Sequence, residues 1–229
     1  MRNTLFKVLS IDFDFFQNVT QRQLYAYPDG IDLAPELSDI VWGVKYMENG
    51  DLLRQINIDK TLLFSMIDII SNQKPGIPVM IANSHVHAHD FILKHCNDRK
   101  VSLINVDLHH DIISKNKKLD CGNWIKHLID KSIIAKARWI GREISTEMYG
   151  FTDEDVKKMH LRYDFAEIES TQFDAVFLCR SDPWTPPHLD KYFNSLLDTI
   201  KNKFSRILIE ERVKQPRDIP VIKTNIDVA

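Results

Sequence analysis

Blocks of apolar and polar positions along this chain change period, and the periods predict its elements. Leu5 to Ile11 is a short apolar run rich in β-formers that ends in Asp12-Phe-Asp14-Phe-Phe, the pattern of a buried strand with carboxylates at its C-terminal end. Ile58 to Ile70 places Leu62, Leu63, Met66, Ile67 and Ile70 at helical spacing, and the prolines and glycine between Asn72 and Pro78 end that helix. Val79 to Ala82 reads as a strand, His89 to Cys96 as a helix, and Val101 to Val106 as a strand that runs directly into Asp107. The alternation continues with a helix at Trp124 to Ile129, strands at Ala137 to Ile140 and Ala175 to Leu178, a helix at Leu189 to Ile200 and a strand at Arg206 to Ile209. Strands that alternate with helices in this way predict an α/β fold with a mostly parallel sheet covered by helices.

Residues 17–57 break the pattern. Their periodicity is poor, while Tyr25, Tyr27, Pro28, Gly30, Pro35, Trp42 and Tyr46 suggest loops with aromatic anchors, a lid or a substrate-facing insertion. There is no internal repeat, low-complexity tract or interdomain linker, so residues 1–229 are expected to form one domain.

Composition narrows the function. With 30 basic and 32 acidic residues the formal charge is −2, which offers no basic field for nucleic acid, and Lys115-Asn-Lys-Lys118 reads as a solvated loop tip. No run approaches membrane-spanning length, so no membrane partner is expected. Lys7 interrupts the N-terminal apolar run, unlike a secretory signal. Cys96, Cys121 and Cys179 form no C-x-x-C pair and are odd in number, which fits a reducing cytoplasm.

The unusual polar residues follow the predicted strands, where ligands bind in such folds. In extended backbone positions i, i+2 and i+4 point the same way, so Asp107, His109 and Asp111 can aim at one point, a mixed oxygen and nitrogen set that suits Mn, Fe or Zn. The plainer alternative is a polar loop with Asp111 capping a helix. Asp12 and Asp14 share the i, i+2 spacing; two carboxylates aimed at one spot repel unless a cation neutralises them, and capping is again the alternative. His85, His87 and His89 follow the strand ending at Ala82; His85, nearest that end, is the first choice as ligand and His87 the second. His95, His127 and His160 have no comparable context. Asp12, Asp14, His85, Asp107, His109 and Asp111 together suffice for two metals that polarise a substrate and activate a shared water.

These motifs resemble those of the ureohydrolases, the arginase and agmatinase superfamily, whose G-G-D-H, D-x-H-x-D and S-x-D-x-D segments are similar to Ala82-Asn-Ser-His85, Asp107-Leu-His109-His-Asp111 and Ser10-Ile-Asp12-Phe-Asp14. Cys121-Gly-Asn123-Trp124 is similar to the family's S-G-N segment, which implies substrate contact by Asn123 and Trp124; a helix N-cap is the other reading of Asn123. The compact peptide-arginase branch, which converts arginine in ribosomal peptides to ornithine, looks most similar, through the I-D-F-D-F-F segment and Asn123-Trp124-Ile125.

The resemblance implies a three-layer arginase-like fold with permuted strand order, because S-x-D-x-D comes first here and last in arginases. It also implies two Mn(2+) ions, one on His85, Asp107, Asp111 and Asp12 and the other on Asp107, His109, Asp12 and Asp14, with Asp111 relaying a proton to the leaving amine. The family's shuttle histidine falls at Ile125, so that role is empty or moved to His127. The guanidinium-binding glutamate has no match either. Asp182 is the available carboxylate, with Arg180 beside it to repel a cation unless paired or turned away. The expected substrate is arginine within a peptide or a small guanidine. The rivals are a phosphatase of the haloacid dehalogenase type using Asp12 and Asp14, a histidine-rich phosphoesterase or amidohydrolase using His85, His87 and His89, and a non-catalytic metal-bound module that binds peptide through Tyr25 to Tyr46.

Overall fold

The computed structural model describes residues 4–28, 35–113, 117–145 and 151–217. Its centre is a seven-stranded sheet of β1 (Phe6–Asp12), β4 (Pro78–Ala82), β5 (Val101–Val106), β6 (Ile134–Ile140), β7 (His160–Arg162), β8 (Ala175–Cys179) and β9 (Arg206–Ile209). The strand order is β7-β6-β5-β1-β8-β4-β9, and every pairing between neighbours is parallel. Parallel strands need long crossovers, and helices supply them on both faces. Strand alternation then divides the core: Leu9 and Ile11 of β1 face one apolar cluster, and Phe6 and Val8 face the other.

The first cluster packs α2 (Pro35–Leu53), α3 (Lys60–Ser71) and α8 (Asp190–Lys203), through Trp42, Leu63, Met66, Phe193 and Leu196. The second packs α4 (His87–His95) and α5 (Trp124–Asp130), through Phe91, Ile92, Trp124 and Leu128. Two apolar clusters with a sheet between them make three layers. Short helices α1 (Gln21–Leu24), α6 (Asp153–Val156) and α7 (Ala166–Glu169) and a two-stranded antiparallel ribbon of β2 (Gln17–Asn18) and β3 (Asn57–Ile58) complete the described fold. No helix among the described residues is long and apolar enough to cross a membrane.

The expected loops of residues 17–57 are largely helix, and the reason for the misreading is physical. On α2, Trp42 and Tyr46 are buried while Leu37, Ile40, Val44 and Met47 on another face are 50, 61, 40 and 55% exposed. A helix with apolar residues on both faces gives no one-sided stripe, and Asn49 adds a break at φ −135°, ψ 26°. Tyr27, Trp42 and Tyr46 belong to the first core cluster, so the aromatic anchors of this segment are packed against the sheet's helices. Strand β7 carries no apolar run because it is short and mostly exposed, and it went unpredicted for that reason. Gly30 and the first two residues of the Lys115–Lys118 cluster lie outside the described residues.

Register is what builds the site. Ile11 pairs with Val106, Asp12 with Cys179, and Cys179 with Ala82, so β5, β1, β8 and β4 end side by side. From β1 the chain's neighbours run outward to both sides, and the carboxyl ends at such a switch point form a crevice.

Candidate metal centre

Each strand delivers its polar residues by turning as it ends. Asp12 closes β1, and its Oδ1 accepts the backbone N–H of Asp14 (3.3 Å), which winds Phe13–Phe16 into a 3-10 turn. Asp107 follows β5, and its Oδ1 accepts the backbone N–H of His109 (2.7 Å). Asp111 then adopts φ 53°, the left-handed region where Asp is one of the few tolerated side chains. The side chains therefore converge through turns rather than through the extended i, i+2, i+4 spacing expected from the sequence. Asp14 Oδ1 accepts the N–H of Leu108 (3.4 Å), tying the two turns together.

Five of the six predicted ligands meet in two adjoining groups, and the sixth, Asp111, lies against His85. Ligand atoms of Asp12, His85 and Asp107 lie within 4.8 Å of one another, as do those of Asp14, Asp107 and His109, so Asp107 belongs to both groups. His85 Nδ1 is 3.2 Å from Asp12 Oδ2, 3.0 Å from Asp107 Oδ2 and 3.1 Å from Asp111 Oδ2. His109 Nδ1 is 3.1 Å from Asp14 Oδ2 and 3.3 Å from Asp107 Oδ1. His85 Nδ1 and Asp14 Oδ2 are buried without a hydrogen-bond partner. Buried polar atoms are nearly always satisfied, so orphans that face further donor atoms could hold a cation.

Electrostatics agree. Burial, reinforced by the charge of Asp107, pushes Asp12 and Asp111 above the usual carboxylate range. Burial and then the charge of Asp12 push Asp14 up to about 8. Burial opposes ionisation of Asp107 as well, but the close imidazoles of His109 and then His85 hold its carboxyl well below the usual range. Burial lowers His85, yet Asp107, Asp111 and Asp12 raise it well above 6.5. Three of the four buried carboxylates, Asp12, Asp14 and Asp111, thus resist ionisation beside an ionised Asp107; divalent cations could neutralise such a cluster, and its mixed oxygen and nitrogen donors would suit Mn, Fe or Zn.

Residues with no ligand role position this cluster, and sequence reading missed them. His85 Nε2 lies 2.6 Å from Ser10 Oγ, so a proton on that nitrogen leaves Nδ1 free to ligate. Asn105 Nδ2 donates to Asp107 Oδ2 (3.1 Å), and Trp139 Nε1 donates to the Asp107 carbonyl (2.8 Å). The signal for Ser10 and Asn105 was present, since each is the polar residue of an otherwise apolar strand end, two positions before a ligand. The half-buried Trp184 ring lies 4.5 Å from that of His109, and its carbonyl accepts from Gln17 Nε2 (2.8 Å).

The predicted substrate residues are placed otherwise. Asn123 is fully buried; its Oδ1 accepts from the Asp120 N–H (2.9 Å) and its Nδ2 donates to the Lys118 carbonyl (2.8 Å). It staples the loop before α5, and its side chain makes no cap hydrogen bond. Trp124 is also fully buried, with its indole N–H donated to Asp111 Oδ2 (2.6 Å). Asp182 is taken by its own chain: Arg180 Nε and Nη2 donate to its two oxygens at 2.5 and 2.9 Å, and Arg217 Nη1 is 3.7 Å away. A bidentate partner already in place leaves Asp182 unfit to hold a substrate cation, which corrects that expectation.

His87 is not among the residues brought together. His89 instead pairs through Nδ1 with Asp90 (2.7 Å) and through Nε2 with Lys131 (3.2 Å), and His127 lies against His89. The three histidines thus do not form one ligand set. Ile125, where the resemblance would put a shuttle histidine, is buried and apolar.

The Arg180 pair carries a stability prediction. Arg180→Met leaves Asp182 buried with only the more distant Arg217, and is expected to cost about 3 kcal/mol, the lower end for breaking a buried pair. Urea unfolding measures it; Arg180→Met/Asp182→Leu should recover most of the loss, and a midpoint unchanged in the single variant would contradict the pairing.

No protein-family model, no curated protein and no solved structure matches this chain. Function is therefore argued from the site itself.

Proposed function

We propose that this protein is a binuclear metal-dependent hydrolase that cleaves a guanidinium C–N bond, converting arginine within a peptide to ornithine and releasing urea. The observation that supports it is the sharing of Asp107 between two carboxylate–imidazole groups, with His85 Nδ1 facing three carboxylate oxygens at 3.2, 3.0 and 3.1 Å. The reaction class comes from the resemblance of these motifs to the ureohydrolases.

His85, Asp12, Asp107 and Asp111 would hold one ion, and Asp12, Asp14, Asp107 and His109 the other, with Mn(2+) the expected metal and Fe or Zn the alternatives. Two such ions, when bound, polarise the scissile group and lower the pKa of a shared water. The chain's own contribution is positional. Ser10 holds the His85 ring, Asn105 holds the Asp107 carboxylate, and Asp111 is the residue assigned to pass a proton to the leaving amine. Trp184 beside His109 offers an aromatic face to a cationic side chain.

A second reading, a binuclear hydrolase of a substrate without a guanidinium, is favoured by one observation: Asp182, the carboxylate expected to grip the cation, is bound to Arg180. One experiment separates them. Incubation of the Mn-loaded protein with arginine-containing peptides, followed by mass spectrometry, should show the loss of a cyanamide unit per modified arginine together with urea. Intact peptides alongside turnover of phosphoester or amide substrates would establish the second reading.

A further inference from the structure

We propose that Trp124 is a positioning residue of the metal centre, fixing which oxygen Asp111 presents to the first ion; the proposal rests on the binuclear-site reading above. Trp124 begins α5 and is fully buried. Its indole N–H donates to Asp111 Oδ2 at 2.6 Å, the same oxygen that lies 3.1 Å from His85 Nδ1. Its ring also lies 5.0 Å from the His85 ring at 40°. One side chain thus touches two ligands of the same ion, one through a hydrogen bond and one through packing.

The chemistry of the indole matters here. It is a donor only, so it cannot compete as a ligand, and it has no proton to lose near neutral pH. A hydrogen bond to Oδ2 constrains rotation of the carboxylate and commits that oxygen to the direction of His85. Asp111 Oδ2 is then the oxygen held beside His85 Nδ1, and the other oxygen has no tie to the indole. The backbone is held from the same turn: Lys126 N–H donates to the Asp111 carbonyl at 3.4 Å, across the residue at φ 53°. A non-glycine residue in that region persists where its surroundings over-determine it. The first turn of α5 therefore grips Asp111 at both its backbone and its carboxylate.

This grip predicts an effect confined to one ion. Contacts of Trp124 fall on His85, a member of the first group, and on Asp111, which lies 3.1 Å from His85 Nδ1, while the second group is built from Asp14, Asp107 and His109. Partners behind a ligand are typically worth about 10–100-fold in metal affinity. Trp124→Phe, which keeps an aromatic ring and loses the N–H, should weaken the first Zn(2+) affinity by that factor and leave the second near wild type in a calorimetric titration. Equal, wild-type affinities at both sites in a folded variant would overturn the proposal.

A second measurement does not depend on the variant's folding. The four tryptophans give four indole N–H resonances in 15N-labelled wild-type protein. In metal-free protein the Trp124 resonance should lie downfield, as expected of a short bond to a carboxylate, and it should move on addition of Zn(2+). Trp42, whose indole donates to the Asp182 carbonyl at 2.7 Å, is the internal control. Four indole resonances without a downfield member would show that the Trp124–Asp111 bond is absent and sink the proposal. A downfield resonance in protein that takes up no metal would instead defeat the binuclear reading, and with it any role for Trp124 there.

Discussion

Asp107→Ala should strip the protein of both metal ions and reduce turnover to background. One of its oxygens lies 3.0 Å from His85 Nδ1 and the other 3.3 Å from His109 Nδ1, so a single side chain serves both halves of the cradle. Its backbone carbonyl is fixed by Trp139 and its carboxylate by Asn105, so two further side chains hold it in that shared place. Asp14→Ala makes the informative contrast, because Asp14 sits in the second group alone among the close triads. Elemental analysis after desalting should give two metals per chain for wild type, less than one for Asp107→Ala and about one for Asp14→Ala. A wild-type metal content in Asp107→Ala would remove the bridging role.

The second large effect is on stability, and its sign follows from the buried acids. Asp12, Asp14 and Asp111 bind protons in the metal-free fold at pH values where the unfolded chain, near 3.8, has released them. Such groups cost nothing below the unfolded value, and they destabilise increasingly as pH rises towards the folded value, about 8 for Asp14. His85 acts in the same direction: its raised value contributes stability below 6.5 that is lost as pH climbs through its folded value. Asp107, held low, matters only below the ordinary carboxylate range, where its stabilising contribution is lost as pH falls.

Metal-free protein should therefore melt at a lower temperature near pH 8 than near about pH 5.5. Metal reverses this by binding the ionised ligands. At a hundredfold excess over Kd each ion adds about 2.7 kcal/mol, and about 2–4 °C per kcal/mol is usual for a chain of this size. Two ions should then raise Tm by roughly 10–20 °C at the higher pH and by much less at the lower one. Thermal scans with chelator and with Mn(2+) at both pH values test this, and a metal-free Tm that rises with pH would contradict the buried-acid account.

How much of this was legible from residues alone depended on whether one face of an element is buried. Strands β1, β4, β5, β8 and β9 were readable because they are short, mostly apolar runs between turn signals, and their parallel pairing followed from the helices between them. Helix α2 was not readable, because Leu37, Ile40, Val44 and Met47 oppose Trp42 and Tyr46 around the same cylinder. The six ligand residues were legible as types placed at strand ends, and the register of β5, β1, β8 and β4 brings them together.

Side-chain commitments were not legible in the same way. Nothing in the sequence says that Arg180 turns back onto Asp182, that Asn123 spends both ends of its amide on the Lys118–Asp120 loop, or that Trp124 points inward to Asp111. Each is a tertiary contact between residues whose spacing permits several partners. Motif reading picked out six side chains that meet because each lies at or after a strand end, whereas the partners of Asn123, Trp124 and Asp182 are set by tertiary packing.

Anomalous diffraction from crystals of the Mn-loaded protein tests the binuclear site most directly. The account predicts two peaks, one enclosed by His85, Asp12, Asp107 and Asp111 and the other by Asp14, Asp107 and His109, with Asp107 between them. A single peak, or peaks away from these residues, would contradict it.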